Sequence, residues 1–333
     1  MVGSGAARVI IGSGWGLLPL PVVGPAIAAA LGGVVYTLAA GGVAMAECLL
    51  FAFDMDPADQ RPAVVALLAA AGITAVGVLA CQVRARRDRE LAEVSLVAEA
   101  TQQVLLRPVP RQAGPVTMAV RYLSASARAR VGGDLYEVVA TPERVRLIVG
   151  DAAGKGLPAV QSAATVLGVF REAAHDEDSL AQIAARIEAS LARELRDEQF
   201  VTAVLADMAV GGAKVELLNC GHPAPLLLSL PGPRAVVFGE HSLPLGLGQL
   251  TGAPRLPVTI PFGPGESLLF YTDGASEARN RAGTFFPLAE CVTENSTQHP
   301  GTVVERLGDA IIRQVGHAPD DDVAMLVVRR DDA

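Results

Sequence analysis

The sequence predicts an α+β chain in which an antiparallel β-sandwich with paired helices follows an all-α, strongly apolar segment. Three observations lead to this fold class. Charge is almost absent between Arg8 and Glu47 but is present throughout the later chain. Short β-rich runs separated by turn residues fill the C-terminal part, and helical patterns interrupt them. This arrangement favours an α+β sandwich over a doubly wound parallel sheet.

Composition excludes several classes of function. The formal net charge is -8, and no basic block is longer than the cluster from Arg84 to Arg89, so the chain lacks an electrostatic footprint for nucleic acid. The 4 cysteines form no C-x-x-C pair and the 5 histidines form no H-E-x-x-H motif, which disfavours a zinc site and a disulfide framework. The run GDAAGKG from Gly150 lacks the spacing of a nucleotide-binding phosphate loop and the Ser or Thr after its lysine.

Residues 1–83 are predicted to form a transmembrane region of two or three helices. The apolar stretch from Val9 to Ala46 is much longer than the roughly 20 residues that one bilayer crossing needs, and a second run extends from Pro62 to Val83. Acids precede the second run and arginines follow it, so the positive-inside rule places the C-terminal part in the cytoplasm. We therefore expect a multi-pass protein of the cell membrane. The alternative, a buried hairpin in a soluble protein, would leave so long an apolar run uncovered.

Residues 84–108 are predicted to form an amphipathic linker helix. Apolar side chains recur near helical spacing from Leu91 to Leu105, and Pro108 and Pro110 stop the helix. The apolar stripe needs a partner surface, which homodimerisation through the linker or docking on the next domain would supply. Residues 109–333 then form the folded domain. Its predicted strands begin at residues 116, 144, 201, 214, 225, 234, 266 and 322, and its predicted helices cover 158–174, 179–195 and 302–314.

Four aspartates stand at predicted strand ends, each beside a glycine or another acid: Asp134, Asp151, Asp273 and Asp321. For any single one of them, a simple turn is the better interpretation. Brought together at one edge of a sandwich, however, the carboxylates would repel one another unless cations bind between them. Oxygen-only ligands favour Mg²⁺ or Mn²⁺, and two such ions can activate a water for attack on phosphorus.

Eight sequence blocks occur in the order typical of one known family. They are ATQQVLLRP from Ala100, VGGDLYEVV from Val131, VGDAAGKGLPAV from Val149, FVTAVLADM from Phe200, LNCGHPAPLLL from Leu218, LPLGL from Leu243, FYTDGASEARN from Phe270 and PDDDVAMLVVR from Pro319. From about residue 97 to residue 330 the chain thus resembles the SpoIIE branch of the metal-dependent protein phosphatases, relatives of protein phosphatase 2C. The resemblance implies a four-layer α/β/β/α sandwich.

The resemblance also implies the site. Asp134, Asp151, Asp273 and Asp321 would be the catalytic acids and would hold two Mn²⁺ or Mg²⁺ ions per active site, together with the backbone carbonyl of Ala152. Asp320 and Asp322 flank Asp321, which we favour as the ligand. Supporting positions carried over from the family are the loop residues Gly132, Gly133, Gly154, Gly156, Asn219, Gly221 and His222. For His222 we favour a role in shaping its loop over the alternative role of a general acid. The sequence departs from the family at Glu137, where many members carry Asp.

The implied activity is that of a membrane-anchored protein serine/threonine phosphatase. Its substrate class, by resemblance, is a phosphorylated anti-sigma-factor antagonist, dephosphorylated directly by metal-activated water. The rival interpretation is a catalytically inactive, phosphatase-like domain that binds a partner in signalling. The presence of all four acids argues against that rival. Clustered carboxylates carry a cost in folding free energy, and an inactive domain would be free to lose them.

Overall fold

The computed structural model describes residues 20–53, 61–124, 132–194, 199–229, 232–239, 242–293, 299–316 and 319–331. Within the chain, Met1–Glu93 and Val94–Ala333 are two compact units. The described helices of the first unit are α1 (Leu20–Leu31) and α2 (Val34–Phe53), followed by α3, which spans Arg61–Leu105. Gly32 and Gly33 separate α1 from α2, and the N–H of Gly32 closes the last turn of α1 on the Ala28 carbonyl at 2.8 Å.

Small residues bring the helices of the first unit together. A Cβ added at Gly41 would lie 2.3 Å from Oγ1 of Thr74, and one added at Gly77 would lie 2.9 Å from Cβ of Ala29. Close approach at small residues is typical of helix packing in membranes. Large apolar side chains point outward instead, and Leu31 and Phe53 are each 87% exposed.

Among the described residues, one helical segment is long and apolar enough to cross a membrane. It is Ala63–Arg89, with 27 residues and a mean hydropathy of 2.5, whereas the apolar part of α2, Val34–Leu50, is shorter. A single such segment is weak evidence, so the prediction of a multi-pass protein is not confirmed. The part of the predicted apolar stretch that precedes Leu20 lies outside the described residues.

Helix α3 passes through the predicted boundary between residues 83 and 84 without a break and ends at Leu105, before Pro108. Proline disfavours helical geometry in the residue before it, which explains the end point. Most side chains of the predicted apolar stripe, from Leu91 to Val104, lie outside the described residues. The proposed linker surface and the three predicted domain boundaries therefore stay predictions.

The second unit contains two antiparallel sheets. The first has the strand order β1-β2-β11-β10-β7-β8 and the second has the order β3-β4-β5-β6-β9. The strands of the first sheet are β1 (Gln112–Ala113), β2 (Val116–Leu123), β7 (Leu226–Ser229), β8 (Gly232–Ala235), β10 (Ser267–Tyr271) and β11 (Val323–Arg330). Those of the second are β3 (Asp134–Ala140), β4 (Arg144–Ala152), β5 (Val201–Ala209), β6 (Lys214–Cys220) and β9 (Val258–Pro261).

Helices cover both outer faces of this sandwich. The second sheet packs against α4 (Leu157–Asp176) and α5 (Leu180–Glu194) through a core that includes Leu135, Ile148 and Phe170. The first sheet packs against α6 (Asp273–Ser276), α7 (Leu288–Thr293) and α8 (Pro300–Val315). The core between them includes Leu269, Leu307 and Met325. A third core fills the space between the sheets. The predicted α+β class and layered sandwich are confirmed.

Candidate functional site

The structure brings the four predicted aspartates to one edge of the sandwich. Asp134 opens β3 and lies directly opposite Asp151 of β4 in the antiparallel ladder. Opposite residues in such a pair have Cβ atoms about 4.5–5.5 Å apart. Asp273 lies two residues after the end of β10 and Asp321 lies two residues before the start of β11, and these two strands are paired neighbours in the other sheet. The ends of four strands therefore present carboxylates at the same place.

Thr272 ties the two sheets together at this edge. Its hydroxyl donates to Oδ2 of Asp134 at 2.8 Å and accepts from the backbone N–H of Ala324 at 2.9 Å. The side chain is fully buried, so the exchange of these bonds for bonds to water is blocked. Thr272 thereby fixes one oxygen of Asp134 and leaves the other available.

Asp322 has a different environment from its neighbour Asp321. Its buried carboxylate accepts from the Tyr122 hydroxyl at 2.5 Å and from the Gly132 N–H at 2.9 Å. Gln102, in the last turn of α3, donates to the same Tyr122 hydroxyl at 2.8 Å and to the Asp134 carbonyl at 3.2 Å. The Asp322 carboxylate thus accepts hydrogen bonds from within the protein, and the bond from Gly132 holds the loop before β3.

The acids of the site raise one another's pKa. Burial and then the charges of Asp273, Asp321 and Asp322 raise the pKa of Asp151 to about 7, although Lys155 opposes the shift. Burial and then the Asp151 charge raise the pKa of Asp134 well above its usual range. Burial and the charge of Asp321 also raise the pKa of Asp273. Lys155 therefore neutralises only part of the negative charge of the aspartates at this edge.

The donor set fits hard divalent cations. All four side chains offer oxygen, the ligand that Mg²⁺ and Mn²⁺ prefer, and their mutual repulsion is the condition that a cation relieves. Lys155 supplies a cation here, with Nζ 3.0 Å from Oδ1 of Asp321. Within the part of the chain that the structure describes, no three His, Cys, Asp or Glu side chains stand close enough together to hold one ion. Direct coordination by these four residues, and by the Ala152 carbonyl, stays a prediction.

Glycines permit the close packing of the loops that carry the acids. A Cβ on Gly133 would lie 2.3 Å from the Ala152 carbonyl oxygen, and one on Gly132 would lie 2.7 Å from Oδ2 of Asp322. In the loop between β4 and α4, Gly154 and Gly156 have backbone φ angles of 96° and 79°, which residues with a Cβ rarely adopt. The role of these four glycines is geometric, as the resemblance implies.

His222 lies in a loop closed by Asn219. Oδ1 of Asn219 accepts from the His222 N–H at 2.8 Å, and Nδ2 donates to the His222 carbonyl at 2.8 Å. The imidazole Nε2 lies 3.1 Å from the Tyr271 carbonyl, and Nδ1 lies 3.0 Å from Oγ1 of Thr202. Because a carbonyl only accepts, Nε2 carries the proton and Nδ1 accepts. The buried neutral ring joins the two sheets, and burial lowers its pKa to about 4.

Acidification is expected to destabilise the metal-free protein through His222. Its pKa is about 4 in the folded chain and roughly 6.5 in the unfolded chain. Stability from the neutral ring is therefore fully present above about pH 6.5 and is lost as the pH falls toward 4, because the unfolded chain gains a proton first. From pH 7 to pH 5 we expect the wild type to lose about 2 kcal/mol more than His222→Gln. Urea unfolding in chelator measures the difference, and equal losses in both proteins would refute the lowered pKa.

Glu137 does not take part in the acidic edge. Successive strand residues face opposite sides, so Glu137 shares a face of β3 with Leu135 and Val139, which pack on the helices, whereas Asp134 faces the other sheet. Its carboxylate pairs with the guanidinium of Arg171, which also donates to the Leu105 carbonyl at 2.7 Å. The departure from the family at this position therefore leaves the candidate site unaltered.

Sequence reasoning missed four residues that shape the site: Gln102, Tyr122, Lys155 and Thr272. Gln102, Lys155 and Thr272 stand inside the sequence blocks quoted above, so their presence there was an available signal. Tyr122 carried no such signal, because it lies within a strand about 200 residues from Asp322 and meets it only through the pairing of β2 with β11.

Comparison with known proteins identifies the family. The family profile described as Stage II sporulation protein E (SpoIIE) matches residues 141–331, more than half of the chain. The phosphoserine phosphatase RsbU of Bacillus subtilis is 19% identical over 241 residues, which are 72% of this chain and 70% of RsbU. The sequence-based recognition of the SpoIIE branch is confirmed.

Solved structures agree on the fold. The SiaA-PP2C domain of Pseudomonas aeruginosa is similar with a TM-score of 0.61 at 16% identity, over 75% of this chain and 99% of that domain. The RsbU and RsbW domains of a Mycobacterium tuberculosis protein give a TM-score of 0.56 at 23% identity, over 66% of this chain and 61% of the solved chain. This chain thus spans less than two thirds of the mycobacterial structure. Taken with the profile match, the sandwich and its acidic edge show that the chain belongs to the SpoIIE family.

Proposed function

We propose that the chain is a metal-dependent protein serine/threonine phosphatase. The observation that carries this proposal is the meeting of Asp134, Asp151, Asp273 and Asp321 at one edge of the sandwich, with burial and mutual repulsion raising the pKa of three of them. The SpoIIE profile and the similarity to a relative named phosphoserine phosphatase support the same activity.

The residues of this chain would hold two Mn²⁺ or Mg²⁺ ions through these four carboxylates and the Ala152 carbonyl. Bound there, the ions would neutralise phosphoryl charge and activate the attacking water. Thr272 orients Asp134 by hydrogen bonding one of its oxygens, and Asp322 holds the loop in front of it. Hydrolysis forms a bond between the water oxygen and phosphorus and breaks the bond from phosphorus to the serine or threonine oxygen. That oxygen takes up the proton that the water loses, so the products are the free hydroxyl and phosphate.

The proposed substrate is a phosphorylated regulatory protein of the anti-sigma-factor antagonist class. Similarity to RsbU and to a structure that contains RsbU and RsbW domains supports this class. Phosphate release from such a phosphoprotein at a much higher kcat/KM than from an unrelated phosphoserine protein would support the assignment. Equal rates on both would contradict it.

We further propose that residues 1–83 anchor the chain in the cell membrane with the phosphatase domain in the cytoplasm. Outward-facing apolar side chains on α1, α2 and α3 and the crossing-length segment Ala63–Arg89 support the anchor. Retention of the chain in carbonate-washed membranes is expected, and release into the soluble fraction would contradict it. Homodimerisation through residues 84–108 is the proposed use of the linker, and a monomeric mass in sedimentation of the detergent-solubilised chain would exclude it.

Phosphate release by the purified full-length chain in detergent tests the proposed activity. With Mn²⁺ or Mg²⁺ we expect turnover of an aryl phosphate and of a phosphoserine protein, and with chelator we expect none, because the acids then lack their counter-ions. A folded protein that binds phosphoprotein but releases no phosphate with either metal would instead favour the partner-binding, inactive domain.

A further inference from the structure

A cleft of about 330 Å³ opens beside two of the candidate metal ligands. Asp273 and Asp321 line it, and so do two further acids, Glu277 and Asp320. A phosphorylated substrate is itself an anion and would be repelled by these side chains. The proposed metal ions would offset part of this repulsion, and a basic side chain in the same cleft would offset more of it.

Two basic residues line the cleft, and they differ in how they are engaged. Lys155 is paired with Asp321 at 3.0 Å. Arg279 lies with its guanidinium carbon 4.1 Å from the centroid of the Phe285 ring. Within the described residues no ion pair joins Arg279 to an acid, and its side chain is exposed. The positive charge of Arg279 is thus available to an incoming anion.

The loop that carries Arg279 is closed by its own hydrogen bonds. Oδ1 of Asn280 accepts from the backbone N–H groups of Ala282 and Thr284 at 2.9 and 3.0 Å. The Phe286 N–H donates to the Ala278 carbonyl at 2.8 Å, and these two residues are the chain neighbours of Phe285 and Arg279, which form an isolated β-bridge. This geometry holds the guanidinium over the aromatic ring before any ligand arrives, which lowers the entropic cost of binding.

We propose that Arg279 is a substrate-binding residue that holds an anionic group of the phosphoprotein. A planar guanidinium can give two parallel hydrogen bonds to a phosphoryl group or a carboxylate. The anion is either the phosphoryl group itself or an acidic side chain beside the phosphorylated residue. This inference rests on the proposed phosphatase function and extends it to substrate recognition.

Steady-state kinetics of Arg279→Gln in the full-length chain tests the inference. We expect KM for a serine phosphopeptide with acidic neighbours to rise about 10- to 100-fold, with kcat and the Mn²⁺ dissociation constant within about twofold of the wild type. Arg279→Lys should recover part of the loss, because it restores charge without the planar fork. The matched control is Arg281→Gln, which removes the same charge from the same exposed loop outside the cleft lining and should leave KM unchanged.

Two further substrates identify the anion. If Arg279 holds the phosphoryl group, KM for an aryl phosphate rises as well. If it holds a neighbouring carboxylate, KM rises for the acidic phosphopeptide and stays constant for the same peptide with alanine neighbours. Unchanged KM for all three substrates would overturn the inference.

Direct binding separates this inference from the proposed activity. Fluorescence anisotropy measures the affinity of the labelled acidic phosphopeptide for the wild type and for Arg279→Gln. A wild type that binds the peptide through Arg279 but does not hydrolyse it would refute the proposed phosphatase activity and support the binding role of Arg279. A wild type that neither binds nor hydrolyses it would refute both.

Discussion

Replacing Asp151 with Asn is expected to abolish phosphate release while making the metal-free protein more stable. Asn keeps the shape of the side chain but removes a charge whose pKa burial and three neighbouring acids raise to about 7. Relief of that repulsion should increase the free energy of unfolding in chelator by roughly 1–3 kcal/mol at pH 8. Loss of a metal ligand costs several kcal/mol in the transition state, on the order of 10³-fold in rate.

Urea unfolding and phosphate release, measured on the same protein, check both halves of this expectation. Asp176→Asn is the matched control, because Asp176 is an exposed acid that pairs with Arg186 at 3.3 Å and surface pairs contribute little. It should change neither stability nor rate. An Asp151→Asn protein that is less stable than the wild type would mark Asp151 as a structural residue rather than a ligand.

Replacing Gly274 with Ala is expected to disrupt the site from the opposite sheet. A Cβ at this buried position would lie 1.9 Å from the backbone carbonyl oxygen of Asp322, and a backbone atom cannot rotate away as a side chain can. Either α6 or the loop before β11 must move, which separates Asp273 from Asp321. We expect a loss of about 2–4 kcal/mol in the free energy of unfolding and a fall of about 10²-fold or more in phosphate release, since catalysis is sensitive to small displacements.

The Gly274 experiment has a control within the same domain. Gly211 stands in the turn between β5 and β6, where an added Cβ meets no atom within 4 Å, so Gly211→Ala should be neutral or slightly stabilising. Mn²⁺ titration by calorimetry would show weakened binding for Gly274→Ala and normal binding for Gly211→Ala. Normal metal affinity in both would contradict the idea that Gly274 sets the spacing of the acids.

The longer strands that the sequence predicted share one physical property. They alternate or continue apolar residues over seven or more positions, as in β2 (Val116–Leu123) and β6 (Lys214–Cys220), and such runs bury at least one face of a sheet. Three observed strands are absent from the predicted ones, namely β1 (Gln112–Ala113), β3 (Asp134–Ala140) and β9 (Val258–Pro261). β1 has two residues, and β9 is short and ends in proline. The strand predicted at 234–238 lies instead at Gly232–Ala235, because pairing with β7 rather than local composition sets its register.

What the sequence by itself determined was the fold class, the apolar character of the first third and the four aspartates at strand ends. These features depend on local patterns, since residues close together in the sequence determine periodicity, turns and strand ends. Only the tertiary structure decided which acids meet and what surrounds them. Asp322 differs from Asp321 because Tyr122 and Gly132 reach it from distant strands and loops, and Arg279 reaches the cleft because Phe285 holds it there. Such contacts arise from long-range strand pairing, which no single stretch of sequence encodes.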